Sequence, residues 1–196
     1  VGVRVVRIFL PSAKVSFEEN KNRLGRLIDV MKREFPEMYL IVALSNLYSD
    51  VDFRVPGDDP FYNFCPPGES RQLLNHDWFR DGYRQNYLPF AQSILSAFSN
   101  EPTIMAYNIG NELKAQDQPE LLVRFMLDVA GHLRGWDQNH LLTTGMISTR
   151  HAFLKTPGKE NVRRQLYDTP LLDFITNHAY HIDGNDRPSP EDDSDL

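Results

Sequence analysis

The residues best suited to chemistry are Asn111 and Glu112, which follow an apolar run at residues 103–107. That run has the length and composition of a buried strand, so the amide and the carboxyl group would lie side by side where the strand leaves the core. Burial in a partly apolar cleft raises a carboxyl pKa, which suits the group to proton donation. The amide can donate and accept hydrogen bonds, as binding of a sugar hydroxyl requires. An isolated pair of this kind also occurs in surface loops, so its interpretation depends on its surroundings.

Polar and aromatic side chains also follow other predicted strands. Asn46 comes after an apolar run at residues 39–44, and His178 and Tyr180 come after a predicted strand at residues 172–176. His178 and Tyr180 are two residues apart on an extended segment, so their side chains would point to the same side. Sites in α/β sheets and barrels lie at the C-terminal ends of the strands. The sequence therefore predicts one shared active face.

The elements that must position these residues alternate along the chain. Ser16 and Glu19 have the spacing of a capping box, and the apolar positions after them repeat every 3.6 residues until Pro36 stops the helix. Strands alternating with helices predict a parallel sheet. We expect strands at residues 3–10, 39–44, 103–109, 141–147 and 172–176, with further helices at 77–99, from Pro119 onwards and at 161–167.

The overall composition excludes several classes of protein. With 196 residues, 41% of them hydrophobic, the chain can form one sizeable domain. The net charge of −6 argues against a nucleic-acid partner, and the absence of an apolar stretch of ~20 residues argues against a membrane span. The single cysteine, Cys65, excludes an intrachain disulfide and does not determine the compartment. Because the first residues already have the pattern of a strand, we expect the natural N-terminus to be missing, which leaves secretion or a cytoplasmic location open.

Each candidate residue also has a plain structural interpretation. Arg7 lies on a buried strand and needs an anionic partner; an ordinary salt bridge would supply one, but we favour a catalytic carboxylate. His178 and Tyr180 could simply pack in a core, and Asn46 could simply form a turn. His178, His181 and Asp183 could be drawn as a metal site, but without a fourth ligand the pattern is weak, and we predict no metal.

Four segments, in this order, resemble glycoside hydrolase family 5 and its clan of (β/α)8 barrels, and within that family the β-mannanase-like members. Val6-Arg7-Ile8-Phe9 looks like the second strand of the family barrel, and residues 44–50 look like the segment after strand three. Residues 100–112 look like the strand-four signature that ends in the general acid/base. Residues 173–180 look like strand six with its His-x-Tyr pair.

The resemblance implies an α/β fold, a (β/α)8 TIM barrel that is incomplete in this chain. Residues 3–182 would be a partial catalytic domain spanning strands two to six, and residues 183–196 an acidic, Pro-rich loop or tail. The nucleophilic glutamate of the family lies at the end of strand seven, which has no counterpart here. We therefore expect missing polypeptide or another chain to supply the remaining strands, and we expect this chain alone to be inactive.

The resemblance also implies roles for the candidate residues. The expected reaction is retaining hydrolysis of a β-linked polysaccharide, β-1,4-mannan or a related β-glucan, with no metal or organic cofactor. Two alternatives remain open, a non-catalytic carbohydrate-binding barrel without the nucleophile and a structural half-barrel completed by another chain. Glu112 would be the general acid/base, and Asn111 would bind the sugar 2-hydroxyl. Arg7 would support the catalytic carboxylates, and Asn46 would line the sugar subsites. His178 would contact the sugar or the acid/base, and Tyr180 would hydrogen-bond the nucleophile.

Overall fold

The computed structural model describes residues 2–10, 16–46, 76–113, 115, 118–145 and 160–176 of the chain. Within these segments, parallel strands alternate with helices. None of the helices in these segments is long and apolar enough to cross a membrane. In chain order the elements are β1 (Val5–Phe9), α1 (Phe17–Glu34), β2 (Tyr39–Ala43), α2 (His76–Arg80), a 3₁₀ turn (Gly82–Arg84), α3 (Tyr87–Phe98), β3 (Ile104–Asn108), α4 (Pro119–Trp136), β4 (Leu141–Thr143) and α5 (Glu160–Tyr167).

Helix α1 begins and ends where the sequence predicts. The Ser16 hydroxyl accepts a hydrogen bond from the backbone N–H of Glu19 at 3.1 Å, which satisfies one of the unpaired donors at the helix start. The Glu19 carboxylate accepts a bond from Arg23 at 2.7 Å on the exposed side of the helix. The helix ends at Glu34, two residues before Pro36. The prediction of α1 is confirmed.

The single helix predicted at residues 77–99 is wrong, because the chain breaks there into α2, the 3₁₀ turn and α3. Pro89 explains the break. In a continuous helix its ring would clash with the carbonyl of the residue four positions earlier, whereas the first turn of a new helix tolerates proline. The Trp78 indole N–H donates to the Asn86 side chain at 3.1 Å and so ties α2 to the start of α3.

The strands lie in the order β1-β2-β3-β4, and all three pairs are parallel. Parallel connections are right-handed, so strands that follow one another in chain order place all their helices on one face. The helix contacts agree, since α3 packs between α1 and α4, and α4 packs against α5. A doubly wound sheet would reverse its strand order and carry helices on both faces. The order seen here is that of a (β/α)8 barrel.

The two faces of the sheet have different surroundings. The face toward the helices is closed, and Leu40 and Val42 on β2 are 1% and 0% exposed. The opposite face would be the interior of a barrel. Strand register and the two-residue alternation place on it a set of large apolar side chains that are 40–48% exposed: Val5, Phe9, Tyr39 and Leu141. In the described segments, the barrel interior is therefore open.

The fifth strand predicted at residues 172–176 is wrong, because this segment does not join the sheet as a strand. It does run beside β4, where the Asp173 backbone N–H donates to the Leu142 carbonyl at 2.9 Å. The Asp173 carboxylate accepts the Leu142 N–H at 2.7 Å and also pairs with Arg134. The Asp173 side chain thus accepts the Leu142 N–H, which the backbone carbonyl of a fifth strand would otherwise accept, and the ladder stops there.

We predict that the 196 residues expressed alone will bind an apolar dye, self-associate and unfold without a sharp transition. Within the described segments, the exposed interior face offers apolar surface to other molecules, and β1 forms one edge of the sheet, where backbone groups can pair with another chain. Dye fluorescence, sedimentation and denaturant unfolding measure this, with the longer natural polypeptide as the control. A monodisperse monomer with cooperative unfolding would contradict the prediction.

Candidate active site

Three polar residues from neighbouring strands are joined by hydrogen bonds, one within β1 and two just beyond the ends of β2 and β3. Arg7 on β1 donates through Nη1 to Oδ1 of Asn111 at 3.1 Å, and Nδ2 of Asn111 donates to Oδ1 of Asn46 at 3.1 Å. Asn46 and Asn111 also form a parallel backbone bridge just beyond β2 and β3. Because a guanidinium can only donate, it determines which end of the Asn111 amide is the carbonyl. The row holds the Asn111 side chain in one orientation.

Arg7 lies on the interior face of β1, in register with Ile41 of β2. Its guanidinium lies 4.9 Å from the centre of the Phe9 ring, within the range of a cation–π contact. The Asn111 amide and this ring are neutral contacts. The carboxylate partner predicted for Arg7 therefore stays a prediction, and a carboxylate reaching the interior face would approach a cation already held in place.

Glu112 follows the row and has an unusual backbone conformation. Its φ is 55°, which places a non-glycine residue in the left-handed region. Its backbone N–H donates to the Gly145 carbonyl at 2.9 Å, and the residue is only 4% exposed. Backbone strain of this kind costs on the order of 1–3 kcal/mol and persists only where the surrounding structure holds it. Such strain clusters at functional sites, which makes Glu112 a candidate for chemistry.

The end of β3 contains one more residue than the segment beside it. The backbone N–H groups of Ile109, Gly110 and Glu112 donate to the carbonyls of residues 143, 144 and 145 at 2.9, 3.2 and 2.9 Å. The N–H of Asn111 turns the other way and donates to the Ser45 carbonyl at 2.8 Å. Four residues, 109–112, thus lie opposite three, which is the arrangement of a β-bulge. The bulge directs Asn111 toward β2 and the Glu112 backbone toward β4.

Two glycines make this strand end possible. A Cβ on Gly110 would collide with the Ser45 hydroxyl oxygen and with the buried Leu113 side chain. Gly145 has φ +75, and a Cβ there would collide with the Asn108 amide. The sequence analysis missed both residues as parts of the site. A glycine beside a strand end was the available signal for each, since such glycines mark bulges and close backbone approaches.

Of the predicted site residues, the structure brings together Arg7, Asn46 and Asn111, with Glu112 next along the chain. His178 and Tyr180 lie outside the described residues, so their placement and roles stay predictions. The alternative metal ligands His181 and Asp183 lie outside them as well. Within the described segments, no group of three or more His, Cys, Asp or Glu residues could hold a metal ion.

A second polar cluster lies at the opposite, N-terminal end of the strands. The buried His140 ring, which precedes β4, lies 2.6 Å from the Asp137 carboxylate and 3.0 Å from the Glu101 carbonyl. The His140 ring also contacts Tyr107 edge to face, and burial raises the pKa of the Tyr107 phenol so that it stays neutral. In barrels of this kind the N-terminal face contributes stability and the C-terminal face contributes the site. We assign this cluster to stability.

Comparison with known proteins identifies similar sequences among the mannanases. No family model matches the chain. Mannan endo-1,4-beta-mannosidase A of Hypocrea jecorina is 26% identical over 110 residues, which are 53% of this chain and 25% of that protein. Mannan endo-1,4-beta-mannosidase 7 of Arabidopsis thaliana is 28% identical over 92 residues, 42% of this chain and 21% of that protein. The matched region thus spans about a quarter or less of each curated relative.

Solved structures show the same fold over most of the chain. An endo-1,4-beta-D-mannanase of Thermotoga petrophila superposes with a TM-score of 0.60 at 17% identity, covering 88% of this chain and 58% of that one. A family 5 mannosidase of Rhizomucor miehei gives 0.61 at 14% identity, covering 90% and 48%. The chain thus has part of a (β/α)8 barrel and resembles the family 5 mannanases. The predictions of fold class and resemblance are confirmed.

We predict that Gly110→Ala will destabilise the protein by ~1–3 kcal/mol, because the added methyl must displace the Ser45 hydroxyl or Leu113 in a packed region. Gly131→Ala is the matched control, since Gly131 lies inside α4 and a Cβ added there would enter open space. That variant should gain up to about 1 kcal/mol from helix propensity. Denaturant unfolding measures both, and a similar change in the two variants would show that the strand end does not need glycine.

Proposed function

We propose that this chain is part of a retaining glycoside hydrolase that cleaves a β-linked polysaccharide, β-1,4-mannan or a related β-glucan. The observation that carries the proposal is the bonded row in which Arg7, within β1, joins Asn111 and Asn46 just beyond the C-terminal ends of β3 and β2, with Glu112 next along the chain. The barrel fold supports a site at this face. The curated relatives, which are named as mannan endo-1,4-beta-mannosidases, support the choice of mannan.

Glu112 is the general acid/base in this proposal. In the first step its protonated carboxyl group gives a proton to the glycosidic oxygen while a second carboxylate attacks the anomeric carbon. In the second step the Glu112 carboxylate takes a proton from water, and that water hydrolyses the glycosyl-enzyme. The nucleophile comes from outside this chain and must lie about 5 Å from Glu112 for retention of configuration.

Asn111 binds the 2-hydroxyl of the sugar that is cleaved. Arg7 and Asn46 already hold both ends of its amide, so little reorganisation is needed when the sugar arrives. Preorganised polar groups of this kind favour the transition state because their orientation is set before the reaction. Asn46 lines the neighbouring sugar subsite, and Arg7 supplies positive charge near the two carboxylates.

His178 and Tyr180 complete the proposed site. His178 contacts the sugar or Glu112, and Tyr180 donates a hydrogen bond to the nucleophile. Both assignments derive from the His-x-Tyr resemblance and from the expectation that the two side chains point the same way on an extended segment.

We predict that Glu112→Gln in the full-length enzyme will reduce hydrolysis of mannan by ~10²–10⁴-fold, because the amide has no transferable proton. Aryl glycosides with good leaving groups need little protonation, so their first step should suffer less. Added azide should restore turnover, since it attacks the glycosyl-enzyme without a general base. Steady-state kinetics on both substrates, with and without azide, measure these effects.

Glu120→Gln is the matched control, because Glu120 is an exposed carboxylate in the first turn of α4. It should leave hydrolysis unchanged. Near wild-type hydrolysis by Glu112→Gln would exclude Glu112 as the acid/base. Binding of mannan oligosaccharides by the wild type without hydrolysis would favour the carbohydrate-binding barrel instead.

A further inference from the structure

Two buried hydroxyl groups converge on one backbone carbonyl beside the candidate site. The Ser45 hydroxyl donates to the Ile109 carbonyl at 3.0 Å, and the Tyr87 hydroxyl donates to the same oxygen at 2.8 Å. Ser45 follows β2, whereas Tyr87 is the first residue of α3, so the donors come from different layers of the fold. Ser45, Tyr87 and Ile109 are each 1% exposed or less.

This carbonyl lies at the start of the bulge. Ile109 and Gly110 are consecutive, yet the N–H groups of both donate on the β4 side, to the carbonyls of Thr143 and Thr144. In a regular strand the backbone N–H groups of consecutive residues bond alternately to the two neighbouring strands. The extra residue breaks this alternation, so the Ile109 carbonyl loses its ordinary partner in the ladder. A buried carbonyl without a donor would cost about 1–3 kcal/mol. The two hydroxyls occupy its two acceptor positions.

Ser45 also contacts the strand end at a second point. Its own carbonyl accepts the N–H of Asn111 at 2.8 Å, and its hydroxyl oxygen lies against the Cα of Gly110. Ser45 therefore holds the chain on both sides of Gly110. The next residues along the chain are Asn111 and Glu112, so any shift at Ile109 moves both of them.

Tyr87 is itself held rigidly. Its ring packs edge to face on Trp78, with centroids 6.0 Å apart, and lies 6.3 Å from Phe125 of α4. The Trp78 indole is in turn bonded to Asn86. The phenol therefore extends from a packed aromatic cluster to the strand end, and it transfers the position of α3 to the Ile109 carbonyl.

We propose that Tyr87 and Ser45 are positioning residues that act through the Ile109 carbonyl to hold Asn111 and Glu112 in place. Neither residue contacts the substrate in this proposal. The expected effect on catalysis depends on the proposed hydrolase function, whereas the effect on the strand end does not.

Tyr87→Phe tests this role, because it removes the hydroxyl and keeps the ring. Tyr83→Phe is the matched control. Tyr83 belongs to the same aromatic cluster, with its ring 6.2 Å from Trp78 and 4.9 Å from Phe125, but its hydroxyl donates to Asp128 of α4 at 2.6 Å. Arg84 also pairs with Asp128 at 2.8 Å, so this carboxylate has a second partner when the Tyr83 hydroxyl is removed.

In the full-length protein, Tyr87→Phe should increase amide hydrogen exchange at residues 110–112 by roughly tenfold, the effect of losing one ordinary hydrogen bond. Tyr83→Phe should leave these amides unchanged. On mannan, kcat of Tyr87→Phe should fall ~10- to 100-fold with KM little altered, because a small displacement of a reacting group affects the transition state most. Ser45→Ala, which removes a single oxygen, should act in the same direction and serves if Tyr87→Phe does not fold.

The two measurements separate the two proposals. Faster exchange at residues 110–112 in Tyr87→Phe, together with a wild type that hydrolyses no polysaccharide, would support the positioning role and overturn the hydrolase. Unchanged exchange and unchanged kcat in both Tyr87→Phe and Ser45→Ala would overturn the positioning role and leave the hydrolase intact. Equal changes of exchange and kcat in Tyr83→Phe and Tyr87→Phe would also overturn the positioning role, since the cause would then be the aromatic cluster as a whole.

Discussion

The extra residue at the end of β3 is the constraint on which the candidate site depends. In a regular strand, Asn111 and Glu112 would point to opposite faces, and their backbone groups would bond alternately to the two neighbouring strands. Here residues 109–112 lie opposite residues 143–145, and the register changes within two residues. Asn111 then meets Arg7 and Asn46, while the Glu112 backbone bonds to Gly145. The one extra residue therefore sets the direction of the Asn111 side chain and of the Glu112 backbone.

Such a distortion is stable only because the surrounding residues hold it from several sides. The left-handed backbone of Glu112 costs free energy, and a bulge leaves ladder groups without their usual partners. Gly110 and Gly145 remove the steric obstacles, and Ser45 and Tyr87 supply the missing donors. The strain is thus local, and the bonds that offset it come from β2, β4 and the helix layer.

The two ends of the sheet use polar residues differently. At the N-terminal end, Asp137 and His140 bond to nearby backbone and to each other, and they close the turn that leads into β4. At the C-terminal end, Asn111 bonds across strands to Arg7 and Asn46, and these bonds gather side chains on the interior face. The first arrangement supports the fold, and the second leaves a row of oriented groups that a hydroxyl-rich ligand could meet. This division matches the separation of stability and function in (β/α)8 barrels.

The sequence by itself determined the elements whose signals are local. The Ser16 cap, the 3.6-residue period and Pro36 are sufficient for α1, and the apolar run at residues 39–44 is sufficient for a buried parallel strand. The sequence also located Asn46 and Asn111 as residues that follow strands and Arg7 as a residue on a strand. It did not show that residues 172–176 leave the ladder, because the cause is the Asp173 carboxylate taking a backbone donor of β4. Only the tertiary structure decided the bulge and the hydroxyls that hold it. The two hydroxyl bonds join residues 22 and 64 positions apart, and the Arg7–Asn111 bond joins residues 104 positions apart. Patterns read over a few neighbouring residues contain no information about contacts at that separation.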